Sequence, residues 1–193
     1  MNHAMTATPH SPPADEAELA RQACASAEAF AELYRRHVTR VYRYHMAHTG
    51  NARDAEDLTS QTFMAALEGI RSFRGEAPFA AWLMGIASRK RALFFRGRRP
   101  EVPLEAALHI PNPGLPADKA AFARLQMDSV SRALRQIRPE RAEALILHFF
   151  GGLTHAEAGR ALKKSEPAVK MLISRGLKDL RERTSLALEV DHE

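Results

Sequence analysis

The side chains best suited to chemistry lie between Thr154 and Arg183, in the run THAEAGRALKKSEPAVKMLISRGLKDLRER. Lys164, Lys170, Arg175 and Lys178 recur there with Ser165, Glu166, Met171 and Ser174 at helical spacing. Ammonium and guanidinium groups so arranged suit contact with the phosphates and base edges of a duplex. The elements that must carry them are two short helices with a tight break. Thr154 followed by Glu157 is a capping box, in which the hydroxyl accepts an orphan N–H and the carboxylate reaches back to the cap. The first helix turns Ala158, Ala161 and Leu162 inward and stops at Lys163–Lys164. Ser165 caps the second, and Pro167 is tolerated in its first turn. Val169, Ile173, Gly176, Leu177 and Leu180 form the inward stripe. An apolar stripe backed by a basic face suits a helix that packs on its own domain and lies in a major groove. A solvated surface helix shows the same pattern, so the rest of the chain must decide.

The chain has 193 residues and a formal charge of +5. Arg89, Lys90, Arg91, Arg96, Arg98 and Arg99 form one basic block without an acidic residue among them. From Lys163 to Arg183, seven Lys or Arg stand against three Asp or Glu. Two basic blocks imply two contacts with a polyanion. Asp54, Glu56 and Asp57 form an acidic patch, which implies a partner of another kind. The single cysteine, Cys24, excludes a disulfide framework and a cysteine-built metal site. The N-terminus lacks the apolar core of a signal peptide, and no apolar run reaches the length of a membrane span. A soluble cytoplasmic protein is the expectation.

Residues 1–25 read as a loose tail, helical only near its end. The first block, 26–99, holds three helical stripes: Phe30, Leu33, Tyr34, Val41 and Tyr44; then Leu58, Phe63, Leu67 and Ile70; then Phe79, Trp82, Leu83, Ile86 and Leu93. Thr49-Gly50-Asn51 separates the first two, and a loop at 72–78 precedes the third. Residues 100–117, with five prolines, read as a flexible linker. The second block, 118–185, shows Val130, Leu134 and Ile137 on one face. Pro139 opens a helix filled by Leu145, Ile146 and Phe149, and Gly151–Gly152 closes it before the helix-turn-helix. Residues 186–193 are a short tail. No alternating strand pattern occurs. The fold class is all-α, two small helical bundles on a Pro-rich tether.

These segments resemble the extracytoplasmic-function sigma factors of the sigma-70 family, over about residues 28–99 and 122–183. DAEDLTSQTFMAAL (Asp54 to Leu67) is similar to the family's acidic signature, and SFRGEAPFAAWLMGIASRKRALFFRGRR (Ser72 to Arg99) to its promoter-melting stretch. The helix-turn-helix closes the set. The resemblance implies that the first block is sigma region 2 and the second sigma region 4. It implies docking on the clamp helices of the polymerase's largest catalytic subunit through Asp54, Glu56, Asp57 and Gln61, with Leu58 and Phe63 supplying apolar area. Contact with the polymerase flap region is implied as well. Phe73, Arg74, Glu76, Arg89, Lys90 and Arg96 would read and melt the −10 element, since aromatics beside basic groups hold single strands. Lys164, Ser165, Glu166, Lys170, Met171, Ser174, Arg175 and Lys178 would read the −35 duplex. Trp82 reads as core, from its spacing to Phe79.

Several positions depart from the family pattern. Ser60–Gln61 replaces the usual Gln-Glu. Arg89 and Leu93 stand where small amide or acid side chains are common, Leu172 where Arg is frequent, and Lys163 where the turn commonly has Gly. A left-handed Lys costs about 1 kcal/mol relative to Gly, unless the turn adopts another geometry.

The function so implied is a non-enzymatic specificity subunit, with core RNA polymerase, promoter DNA and a cognate anti-sigma factor as partners. A membrane-bound anti-sigma factor would hold it at the membrane. The sequence shows no catalytic constellation, no phosphate-cradling Gly loop and no metal-ligand cluster, so no cofactor is expected. Two other functions fit part of the pattern: a dimeric helix-turn-helix regulator, and a sigma-like adaptor that binds a regulator without driving transcription. His37, His45 and His48 read as surface histidines of the first stripe.

Overall fold

The computed structural model describes residues 14–97 and 129–190. The expected linker, Arg98, Arg99, the start of the second block and both extreme ends lie outside the described residues. Helix α1 spans Ala14–Gln22, α2 Ala27–Thr49, α3 Ala52–Gly69 and α4 Phe79–Gly97, with a single 3₁₀ turn at Ile70–Ser72 after α3. The second block is described from 129, where α5 runs to 135. Then come α6 (Pro139–Leu145), a π-helical turn (Ile146–Phe150), α7 (His155–Leu162) and α8 (Glu166–Val190). There is no strand among the described residues.

Local sequence sets the helix ends. Ser26 accepts the Ala29 N–H at 3.2 Å to cap α2, and Asn51 accepts the Asp54 N–H at 3.1 Å to cap α3. Gly50 ends α2 in the left-handed region, φ 62°, its N–H donating to the Met46 carbonyl at 2.9 Å. A Cβ there would lie 2.7 Å from Arg135 Nη1. The left-handed turn is what calls for glycine here, since the Arg135 side-chain end can shift aside.

The first bundle packs Leu33, Val41, Tyr44, Phe63, Phe79, Leu83 and Met84 between α2, α3 and α4. Helix α1, the helical end expected of segment 1–25, packs on this bundle rather than hanging loose. Ala20 is fully buried, and the buried Glu16 pairs with His37 at 2.8 Å. That hydrogen bond, with help from Arg40 and Arg36, holds the Glu16 carboxyl below the usual range against the opposing effect of burial. The second bundle packs Leu145, Ile146, Leu147, Leu153, Ala158, Val169 and Ile173. Arg141 ties α6 to α8 through both oxygens of Asp179, at 2.7 and 2.6 Å.

Some inward assignments change. Leu67, Leu93 and Phe149 are 54, 56 and 56% exposed, and Val130 is exposed too. The π turn adds a residue to the coil, which puts Leu147 in the core and swings Phe149 out. Helix α8 continues to Val190, into the segment read as a tail.

Candidate nucleic-acid interface

The helix-turn-helix forms as its residues dictate. Thr154 N–H donates to Glu157 Oε2 at 2.8 Å, and Glu157 N–H donates to Thr154 Oγ1 at 3.2 Å. Lys163 adopts the left-handed region at φ 55°, ψ 43°, so the turn keeps its geometry despite the missing glycine. Gly159 lets the chain reverse there, since a Cβ would lie 2.7 Å from the Lys164 carbonyl oxygen. Ser165 Oγ accepts the Ala168 N–H at 3.4 Å to start α8.

Val169, Ile173 and Gly176 of α8 are buried, while Lys164, Ser165, Glu166, Lys170, Met171, Ser174, Arg175 and Lys178 are all exposed. Glu166 pairs with Lys170 at 2.7 Å, and that hydrogen bond lowers the Glu166 pKa. Lys178 pairs with Glu182 at 3.7 Å, and Lys164 with Glu140 at 3.3 Å. These are solvent-screened pairs worth little on their own. They hold the cationic heads loosely and leave them available to a stronger anion.

In the first bundle, α3 and α4 border a groove of about 320 Å³. Its lining includes Ala65, Gly69, Trp82, Ile86, Arg89 and Lys90. Arg89 and Arg96 are exposed and Lys90 is partly so. Arg74 and Glu76 project from the loop with side chains 83 and 78% exposed, 4.0 Å apart. Phe73 departs from a free stacking platform: its ring packs 5.7 Å from Phe79 and 5.3 Å from Trp82. Phe73, Phe79 and Trp82 form one aromatic cluster. Trp82 and Phe73 are alike partly buried, and Trp82 also packs on Phe79, at 5.5 Å. Arg91, counted above with the basic block, turns away and pairs with Glu143 of α6 at 2.9 Å.

On α3 the acidic positions separate from the apolar ones. Asp57 and Gln61 are exposed, and Asp54 and Glu56 are partly so. Leu58 is fully buried and Phe63 is 5% exposed, so neither offers apolar area to a partner. Both lie on the stripe Ala55, Leu58, Thr59, Thr62, Phe63, Ala66 that faces α2. The exposed apolar side chains are Met64 at 63% and Leu67 at 54%, with Tyr34 of α2 stacked edge-on against Phe63 at 4.7 Å. Met64 follows Gln61 by three residues and Asp57 by seven. Helical spacing from the acidic residues is the signal that could have found it.

Comparison with known proteins follows the same division. Residues 33–100 match the profile of Sigma-70 region 2, and residues 127–180 match Sigma-70, region 4. The chain is similar to the ECF RNA polymerase sigma factor BldN of Streptomyces coelicolor, 33% identical over 163 residues, covering 83% of this chain and 62% of that protein. It is 31% identical to the ECF RNA polymerase sigma factor SigE of Mycolicibacterium smegmatis over 156 residues, 78% of this chain and 60% of that one. The match thus spans less than two thirds of either relative. With the RNA polymerase sigma factor CnrH of Cupriavidus metallidurans the identity is 27% over 189 residues, 93% of this chain and 97% of that protein. A solved structure of CnrH in complex with the cytosolic domain of CnrY superposes with a TM-score of 0.70 at 26% identity, over 91% of this chain and 98% of that chain. The sigma factor RpoE in complex with the anti-sigma factor NepR from Bartonella quintana shares the fold: TM-score 0.61, 21% identity, 81% and 96% coverage.

Proposed function

Since this chain belongs to the sigma-70 family, in its extracytoplasmic-function branch, we propose that it binds core RNA polymerase and directs transcription initiation at promoters with two separate elements. It contributes contacts rather than bond chemistry. The reading is carried by one observation: two bundles of one chain each present a cationic face suited to DNA, α8 in the second and the Arg89–Lys90–Trp82 groove in the first.

Helix α8 enters the −35 major groove, with Lys170, Arg175 and Lys178 on phosphates or base edges and Lys164, Ser165, Glu166, Met171 and Ser174 bordering the contact. Arg89, Lys90 and Arg96, with Arg74 and Glu76 of the loop, hold the separated −10 strand, and an extruded base takes the groove beside Trp82. Phe73 packs against Trp82 at 5.3 Å and borders the same strand. Asp54, Glu56, Asp57 and Gln61 meet basic groups of the clamp helices, with Met64 and Leu67 as the apolar part of the contact. The second bundle meets the flap region. An anti-sigma factor is the natural negative partner; the solved structure of CnrH is a complex with the cytosolic domain of CnrY. A membrane-bound anti-sigma factor would keep the chain at the inner face of the membrane. No helix among the described residues is itself long and apolar enough to cross one.

Run-off transcription from a promoter library with core polymerase tests the reading. Transcripts should depend on the added chain and share a −35/−10 pair. A chain that binds a symmetric operator and yields no transcript with core enzyme would overturn it.

A further inference from the structure

Glu143 on α6 of the second bundle is 7% exposed, and its carboxylate enters a pocket of the first bundle. The fully buried Tyr44 donates its hydroxyl to Oε1 at 2.9 Å. Arg91 of α4 lies 2.9 Å from Oε2, and His48 Nε2 of α2 lies 3.2 Å from the same oxygen. Arg91 Nη1 also approaches His48 Nδ1 at 3.5 Å. Two hydrogen bonds flank this seat: Ser131 Oγ donates to the Ala47 carbonyl at 3.0 Å and Arg135 to that of Thr49 at 3.5 Å. The last turn of α2 is thus capped by the other bundle. Burial pushes the Glu143 carboxyl upward, and burial beside Arg91 holds His48 well below its usual range. The seat therefore sets a neutral imidazole and a cation around one carboxylate.

This arrangement has a geometric consequence if the chain works at a two-element promoter, the reading on which the inference rests. The −35 and −10 elements lie about 25 base pairs apart, roughly 85 Å of duplex at 3.4 Å per pair. A packed chain of this length has a radius of gyration of about 16 Å and is roughly 40 Å across. The bundles cannot engage both elements while Glu143 is seated. Residues 98–128 supply roughly 100 Å of contour at ~3.3 Å each, enough to let them part.

We infer that Glu143, seated among Tyr44, His48 and Arg91, is a latch that holds the two bundles in a closed resting state and must be withdrawn before the chain occupies polymerase and promoter together. Opening exposes Arg91 beside Arg89 and Lys90, so release also extends the basic face of α4. The latch is steep because removing one member leaves the other charge buried and unpaired.

The experiment is a distance measurement between spin labels at Thr39→Cys and Gln136→Cys in the full chain on a Cys24→Ser background. The otherwise unaltered sequence should give one narrow distance distribution. Glu143→Gln and Arg91→Met should each shift the open-to-closed ratio on the order of 100-fold and broaden the distribution to longer distances. If either fails to fold by circular dichroism, Tyr44→Phe, which removes only the hydroxyl, should give a smaller shift in the same direction. A broad distribution in the parent chain, or an unchanged narrow one in the folded variants, overturns the latch. Adding bacterial core polymerase should lengthen the parent distance, and Glu143→Gln should bind core with an apparent Kd lower in proportion to the gain in open fraction. Equal affinity in a variant that has opened overturns the inhibitory role. Failure of the parent chain to bind core overturns the sigma reading alone, because the distances decide the closed state without polymerase.

Discussion

The His45 ring is fully enclosed between α2 and α3, with Nε2 3.0 Å from Thr62 Oγ1. The Thr62 hydroxyl gives its one hydrogen to the Leu58 carbonyl at 2.7 Å, so His45 must be the donor and holds the neutral Nε2–H tautomer. Burial, with the Arg91 charge, lowers its pKa from 6.5 to about 3. A depressed folded pKa gives stability that is fully present above 6.5 and lost as the pH falls toward 3. The slope is about 1.4 kcal/mol per pH unit for one such group. Urea unfolding at pH 6.5, 5.5 and 4.5 should show the midpoint falling, and His45→Gln should flatten the trend by about one proton. At this scale the local devices were legible: the Thr154–Glu157 box, the Ser165 cap and the left-handed Lys163 each depend on neighbours within a few residues. The buried histidines were not, because their partners Glu16, Thr62 and Glu143 lie 21, 17 and 95 positions away in the chain. Lys163→Gly should stabilise the chain by about 1 kcal/mol in the same denaturation assay, by relieving the left-handed strain.

Helices α3 and α8 carry the sharper tests among the elements. Periodicity places α3 correctly, yet Leu58 and Phe63 were assigned to both its inner and outer sides, and only burial separates them. Met64→Ala with Leu67→Ala should weaken core polymerase binding in a pull-down titration and leave the melting temperature nearly unchanged. Leu58→Ala should do the reverse, at about 2–5 kcal/mol of stability. Asp57→Lys should behave like the first pair. For α8, Lys170→Ala and Arg175→Ala should each reduce the salt dependence of promoter binding by about one unit in the log–log slope, because each lost phosphate contact releases about one counterion fewer. An unchanged slope would leave the face merely solvated. The packing of α1 on the first bundle was not legible, because nine alanine-rich residues show little periodicity until the surface they cover is known. The π turn was missed because an inserted residue leaves no pattern of its own.

The whole molecule adds what neither bundle encodes alone. The sequence reads naturally as two bodies on a tether, since five prolines interrupt every helical period between them. Nothing in either half marks Glu143 as buried, because its burial exists only when the halves meet. A shared seam of this kind couples the two cores. Calorimetry should therefore show one transition for the full chain, with van't Hoff and calorimetric enthalpies in agreement. Arg91→Met, by leaving Glu143 without its cation, should resolve it into two.

The lining of the α3–α4 groove has a practical consequence as well. Trp82 is the chain's single tryptophan, and it stands partly exposed beside Arg89 and Lys90. Its indole emission therefore arises from one known place, where an entering nucleobase would stack and quench it. If the proposed −10 reading holds, the molecule carries its own optical reporter for strand capture, readable by stopped-flow without any label.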